Sequence, residues 1–288
     1  MSMARRSLSA AHNAARAAPE PLGALLAAKR PIVMGILNVT PDSFSDGGRF
    51  NDPEHGIAHA RRMASEGADV LDIGAESTRP YPGMQPVSAE EEMTRLEPVL
   101  PEIVKLGVPV SIDTIKAAVG AWALDNGAAI LNDVWGLQRD PDMARLAAER
   151  GVPLIIMHNR EEADPSIDII ADMAAFFTRS LDIADKAGVA REAIVLDPGI
   201  GFGKTPEQSM TAIARLDAFK TFGLPILVGA SRKRFINTVV PTEPGERLPG
   251  SLAAHILAVE NGASIIRAHD VAETVQALRV HAAIRSAT

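Results

Sequence analysis

The sequence predicts an α/β protein closed into a (β/α)8 TIM barrel, and three observations predict it. From residue 31 onward, short Val/Ile/Leu-rich runs alternate eight times with longer Ala-rich amphipathic segments. The short runs are apolar throughout, as strands covered on both faces of a parallel sheet should be. Nearly every run breaks off into polar or charged residues, which suits a barrel whose site is assembled from loops at the strands' C-terminal ends. A doubly wound open sheet is the alternative. Eight units in roughly 250 residues, with no evident switch point, favour closure.

The elements follow in order. The first strand, 32–37, stops at Asn38, and turn chemistry follows in Pro41-Asp42 and Asp46-Gly47-Gly48. Its helix spans 54–66 and ends at Gly67. Strand 70–73 leads to Glu76-Ser-Thr-Arg79 and a helix over 89–105, ended by Gly107. Strand 108–112 leads to Asp113 and helix 115–126, ended by Gly127. Strand 129–131 leads to Asn132-Asp133 and helix 142–150, ended by Gly151. Strand 152–157 leads to His158-Asn159-Arg160 and helix 167–187, ended by Gly188. Strand 194–196 leads to Asp197-Pro-Gly-Ile-Gly-Phe-Gly-Lys204 and helix 207–219, with Gly223 beyond it. Strand 226–228 leads to Ser231-Arg-Lys233 and helix 248–261, ended by Gly262. Strand 264–266 leads to Arg267-Ala-His269-Asp270 and helix 271–284.

Residues 31–288 therefore read as a single catalytic-sized domain. Residues 1–30 read as an Ala-rich extension, basic before Glu20 and partly helical near 21–28. Such a composition resembles a transit peptide, but an Ala-rich bacterial extension is the plainer reading.

Composition narrows the function. The chain has 288 residues, 47% of them hydrophobic, which is enough for a large core. A net charge of −7 gives no basic face for nucleic acid, so an anionic substrate would need local positive charge. The absence of cysteine removes disulfides, thiolate catalysis and cysteine-ligated metal. No apolar run reaches the roughly 20 residues of a membrane span. A soluble cytoplasmic protein is the expectation.

Asp, Asn, Ser and Thr at strand ends can each be helix caps. Arg79, Arg232, Lys233, Arg267 and His269 are poor caps, and they bring positive charge to a face where helix dipoles already favour an anion. The Asn38–Gly48 loop is oxygen-rich, as a hard cation and a phosphate require. Residues 198–205 come close to a Walker A loop, but Pro198 holds the position of its first glycine. The same segment lacks the dinucleotide-binding spacing. His55 and His59 lie at i and i+4 without a third ligand, so a solvated helix face is favoured. Trp122 and Trp135 read as packing residues.

Seven ordered motifs together resemble the dihydropteroate synthase family: residues 38–48, Glu-Ser-Thr-Arg-Pro at 76–80, Ser-Ile-Asp-Thr at 111–114, Asn-Asp-Val at 132–134, the glycine loop 197–204, Ser-Arg-Lys at 231–233 and Arg-Ala-His-Asp at 267–270. The resemblance implies a (β/α)8 barrel that joins 6-hydroxymethyl-7,8-dihydropterin diphosphate to 4-aminobenzoate in folate biosynthesis, with Mg2+ as cofactor. It implies that Thr78, Arg79, Asp113, Asn132, Asp197, Lys233, Arg267 and His269 bind the pterin diphosphate. Phe44, Pro80, Phe202, Ser231 and Lys233 would receive 4-aminobenzoate, and Asn38 would contact the metal. Asp113, Lys233, Arg267 and His269 become the catalytic candidates, with Asp113 stabilising a cation at the pterin methylene in an SN1-like displacement. A homodimer formed through the late helices is also implied. The segment Met157-His-Asn-Arg lacks the Gly-Thr-Pro element common in the family, and Ala268 replaces a more usual Val. A pterin-binding methyltransferase of the same barrel type would need neither the 38–48 loop nor Ser-Arg-Lys. A non-catalytic paralogue would have lost loop residues or the site's lysine.

Overall fold

Each of the eight apolar runs is a strand in the computed structural model, which describes residues 17–39, 53–76 and 87–287. The strands are β1 (Ile32–Asn38), β2 (Val70–Gly74), β3 (Val110–Asp113), β4 (Ile130–Asp133), β5 (Leu154–Met157), β6 (Ile194–Asp197), β7 (Leu227–Val228) and β8 (Ile265–Ala268). All pair in parallel in the order β6-β5-β4-β3-β2-β1-β8-β7. A parallel bridge between Leu196 and Ile226 joins the two outer strands of that order and brings the sheet round into a barrel.

The helices are α1 (Leu22–Ala27), α2 (Pro53–Ser65), α3 (Ala89–Leu96), α4 (Leu100–Val104), α5 (Ala117–Asp125), α6 (Asp142–Arg150), α7 (Ile169–Ala187), α8 (Pro206–Ala214), α9 (Arg234–Val239), α10 (Leu248–Asn261) and α11 (Val271–Ser286). Side-chain oxygens start several of them: Asp168 accepts from the N–H groups of Ile170 and Ala171 to cap α7. α7 ends at Gly188, whose left-handed φ of 86° suits a residue without a Cβ.

The expected boundaries need three corrections. The single helix expected over 89–105 is two, because Pro98 and Pro101 remove amide donors and allow only a break at their junction. The helix expected over 207–219 ends as α8 and continues as a 3-10 turn, Leu216–Phe222. α9, which follows Ser-Arg-Lys directly, is unannounced in the sequence because its six residues are too few for a visible period.

The barrel interior is stratified. On its lower level Ile32, Met34, Val70, Ile130, Ile155, Val195, Leu227 and Ile265 form one apolar cluster, and Leu22 of α1 packs into it. α1 therefore covers the floor of the barrel. Burying Leu22 there is worth about 1.5–3 kcal/mol. The larger cluster lies outside the barrel wall, where Leu37, Leu71, Ile73, Ile112 and Leu131 meet the helices. One level above the apolar floor the inward residues become polar, and the floor thus supports a charged site.

Candidate active site

Strand register brings the site residues together. Gly74, Asp113 and Asn132 are paired neighbours across β2, β3 and β4, and Asp197 is the partner of Met157 on β5. Gly74, Asp113 and Asp197 close their strands and Asn132 stands one residue before the end of β4, because hydrogen bonding in the ladder continues one or two residues past the last apolar side chain. Asp113, Asn132 and Asp197 are all buried.

Arg267 reaches from β8 across the barrel mouth. Its Nε donates to Asp72 Oδ2 at 2.6 Å and its Nη2 to Asp113 Oδ2 at 2.9 Å. Asn132 Nδ2 donates to the same oxygen of Asp72 at 3.1 Å. Asp72, fully buried in the middle of β2, is thus the hub that orients both Arg267 and Asn132. Sequence reasoning missed it. The signal was a single carboxylate inside an otherwise apolar strand, a residue that is almost never fully buried unless paired.

Burial pushes the Asp113 carboxyl up to about 7, although Arg267 opposes the shift. Asp197 is also pushed up by burial, against the pull of Lys233 and the Gly199 N–H that donates to it at 2.7 Å. Asp72 Oδ1, Asp113 Oδ1 and Asn132 Oδ1 are buried without a hydrogen-bond partner among the described residues. Such a row of acceptors calls for a ligand edge carrying N–H donors.

Lys233 lies opposite, its Nζ 4.4 Å from the centre of the Phe202 ring and donating to the Ile200 carbonyl. Gly229 separates it from Arg267. A Cβ built there would stand 3.7 Å from Arg267 Cβ and 4.0 Å from Lys233 Nζ, so the glycine leaves a slot between the two cations. A flat ring bearing donors on one edge would fill it.

Ser231 is buried, and its hydroxyl accepts from the His269 N–H at 3.2 Å and meets His269 Nδ1 at 3.0 Å. The Ser-Arg-Lys turn is held at its centre, where Arg232 takes a left-handed φ of 56°. The Arg232 N–H donates to Ser251 Oγ at 2.9 Å, and its guanidinium pairs with Asp270. This strain is offset by bonds on both sides.

Asn38 ends β1 at the rim and is exposed. Phe44, Thr78, Arg79 and Pro80 lie outside the described residues, as does the 40–48 arm. Among the described residues no group of three or more His, Asp or Glu side chains could hold a metal ion. His55 and His59 belong to no such group. Trp135 is not core: it lines a cleft of about 830 Å3 with Arg160 and Asp172, and the Arg139 guanidinium lies 4.0 Å over its ring. Among the described residues no helix is long and apolar enough to cross a membrane.

Residues 34–269 match the pterin binding enzyme family. The dihydropteroate synthase of Bacillus subtilis (strain 168) is 47% identical over 244 residues, covering 84% of this chain and 85% of that protein. A structure of Xanthomonas albilineans dihydropteroate synthase with 4-aminobenzoic acid superposes with a TM-score of 0.85 at 43% identity, covering 89% of this chain and 94% of that one. The same organism's enzyme in complex with 7,8-dihydropteroate gives a TM-score of 0.82 at 41% identity, covering 89% and 94%.

Proposed function

The chain belongs to the pterin binding enzyme family and, within it, to the dihydropteroate synthases, and we propose that it joins 6-hydroxymethyl-7,8-dihydropterin diphosphate to 4-aminobenzoate, releasing diphosphate and 7,8-dihydropteroate for folate biosynthesis. The observation that carries the reading is the row of buried acceptors in the barrel mouth, on residues that Arg267 itself bonds, with Lys233 beside the Gly229 slot. Asp197, Asn132 and Asp113 accept from the donors of the pterin edge, while Lys233 donates to its oxygen and ring nitrogen. Arg267 stacks on the ring and extends toward the diphosphate, which His269, Thr78 and Arg79 bind. Phe202, Ser231, Lys233, Phe44 and Pro80 receive 4-aminobenzoate.

The C–O bond to diphosphate breaks first, and its electron pair leaves with the diphosphate. Asp113 stabilises the cation left on the methylene carbon, and the arylamine lone pair then forms the C–N bond. The amine's proton passes to solvent, so no strong general base is required. Asn38, together with the diphosphate oxygens, would hold Mg2+, which when bound would supply charge neutralisation to the leaving group.

Residues 31–288 are the catalytic domain in this reading, and the part of the 1–30 extension around Leu22 serves as the barrel's floor. The chain acts in the cytoplasm, where a cysteine-free protein has no need of oxidation. It acts as a homodimer through apolar side chains left exposed on α9, α10 and α11.

A coupled assay of diphosphate release tests the reaction. Release must require both the pterin diphosphate and 4-aminobenzoate. Release without the arylamine, or none with both present, would overturn it.

A further inference from the structure

The lysine that brought residues 198–205 close to a phosphate-binding loop does not face a phosphate. Lys204 is buried, and its Nζ donates to the carbonyls of Gly199 and Phe202 at 2.9 Å each and to His158 Nδ1 at 2.7 Å. Three ammonium protons are thus taken up, and the His158 carbonyl stands as a longer fourth acceptor at 3.4 Å. Thr205, the other residue of that near-motif, caps α8 in a capping box with Gln208.

His158 continues the chain of bonds. Its ring is fully buried, with Nε2 3.0 Å from Asp172 Oδ2, and Asp172 in turn accepts from Arg160 Nη1 at 2.9 Å. Nδ1 accepts from Lys204, so Nε2 carries the proton and donates to Asp172; the tautomer follows from its two partners. Burial pushes His158 down to about 3, which keeps the imidazole neutral. Burial also pushes the Lys204 ammonium down, while Asp197 and Asp172 work to keep it charged.

The loop that Lys204 grips is packed tightly against the strand-5 loop. A Cβ at Gly199 would stand 2.0 Å from the His158 carbonyl oxygen, and one at Gly203 2.4 Å from Arg160 Cβ. Both glycines hold a positive φ, so their backbone path has no substitute in an L residue. The two carbonyls that Lys204 holds bracket Ile200, whose own carbonyl receives Lys233, and one of them belongs to Phe202, whose ring lies beneath Lys233 Nζ.

We propose that Lys204, oriented by His158 and Asp172, is a positioning residue for the arylamine half of the reaction. It fixes the glycine loop so that the Ile200 carbonyl and the Phe202 ring hold Lys233 at the 4-aminobenzoate site. The proposal rests on the proposed function, because it presumes that an arylamine docks at Lys233. A lysine serving stability alone would alter the melting temperature without favouring one substrate over the other.

The experiment measures both KM values and the thermal melting curve for the full chain and for Lys204→Met, His158→Ala and His158→Asn. Lys204→Met is expected to raise the 4-aminobenzoate KM by about tenfold to a hundredfold, the scale of an ångström-sized misplacement, and the pterin diphosphate KM by much less, because Phe202 serves the arylamine alone whereas Lys233 contacts both substrates. His158→Ala should move the same constant. His158→Asn, whose Oδ1 stands where Nδ1 was, should restore most of it. A folded Lys204→Met with both KM values unchanged, or both raised alike, would overturn the proposal. Should Lys204→Met fail to fold, equal 4-aminobenzoate KM values for the two His158 variants would overturn it instead. Wild-type protein that does not consume both substrates would refute the proposed reaction along with it, whereas an active wild type with unresponsive variants refutes the positioning alone.

Discussion

Arg267 and Asp72 form a closed pair beneath the barrel mouth, Nε to Oδ2 at 2.6 Å, with the Asp72 side chain wholly buried. The pair would let a long arginine serve as the flat platform that the proposed function asks of it. One donor is spent on Asp72 and another on Asp113, and these two bonds fix the guanidinium plane. Asp72 thereby orients both Arg267 and Asn132 from a position inside the strand.

Asp72→Asn keeps the shape and an acceptor but removes the charge that orients Arg267. We expect kcat/KM for pterin diphosphate to fall by about tenfold to a hundredfold, equivalent to the 1.5–3 kcal/mol of a charged hydrogen bond. Steady-state kinetics with a circular dichroism control would check it. An unchanged kcat/KM in a folded variant would show that Asn132 and Asp113 hold the site alone.

Asp113 links pH to both activity and stability. Its carboxyl is raised from the ordinary range to about 7 by burial, so the folded protein favours the protonated form. The stability it contributes is present in full below the unfolded-state value near 4 and is lost as pH rises through 7. The proposed mechanism needs the opposite form, the carboxylate. In the free enzyme kcat/KM should accordingly rise with pH and level off above about 7. Asp113→Asn should abolish most activity yet melt at a higher temperature than wild type at pH 8, with a smaller gain at pH 5. A melting difference that does not change between those two pH values would refute the linkage.

Gly229 tests the slot between the two cations. A methyl group there meets Arg267 Cβ at 3.7 Å and Lys233 Nζ at 4.0 Å, distances of ordinary contact. Gly229→Ala should consequently fold with stability equal to wild type or raised by about 0.4–1 kcal/mol. Its pterin diphosphate KM should rise, because the methyl occupies volume meant for the ring. Calorimetric titration with the pterin would detect this without turnover; equal affinity for wild type and variant would mean that the ring lies elsewhere.

The barrel was legible because its strands are apolar on both faces, a pattern few other folds impose. The site was legible where function placed polar residues at strand ends, as at Asp113, Asn132 and Asp197. Asp72 escaped because it lies inside β2, where a reading by apolar runs passes over a single exception. Lys204 was visible but open to misreading, since a glycine-rich segment ending in Lys-Thr has the same spelling whether the amine faces a phosphate or turns inward. Leu22 showed no role in sequence because its partners come from β1, β2, β4, β5, β6, β7 and β8, which only closure of the barrel brings together. The break at Pro98 was readable in principle; the apolar period on either side concealed it.

The exposed apolar residues offer the last test. Val280 and Ile284 are 53% and 65% exposed and lie one turn apart on α11, so they share a face. Leu257 on the neighbouring α10 is 45% exposed, and His281 and Glu260, 3.2 Å apart, tie the two helices together. Val239 and Val240 add 64% and 56% exposure at the end of α9. Large aliphatic side chains left open on consecutive late helices are what a self-complementary two-fold interface would cover, given the roughly 1,000 Å2 such contacts need. Light scattering of wild-type protein should give twice the 30.5 kDa chain mass. Val280→Glu with Ile284→Glu should give the single chain mass, because two carboxylates would meet their own copies across the axis. A wild-type protein that scatters as one chain, or a double variant that still scatters as two, would remove these helices as the interface.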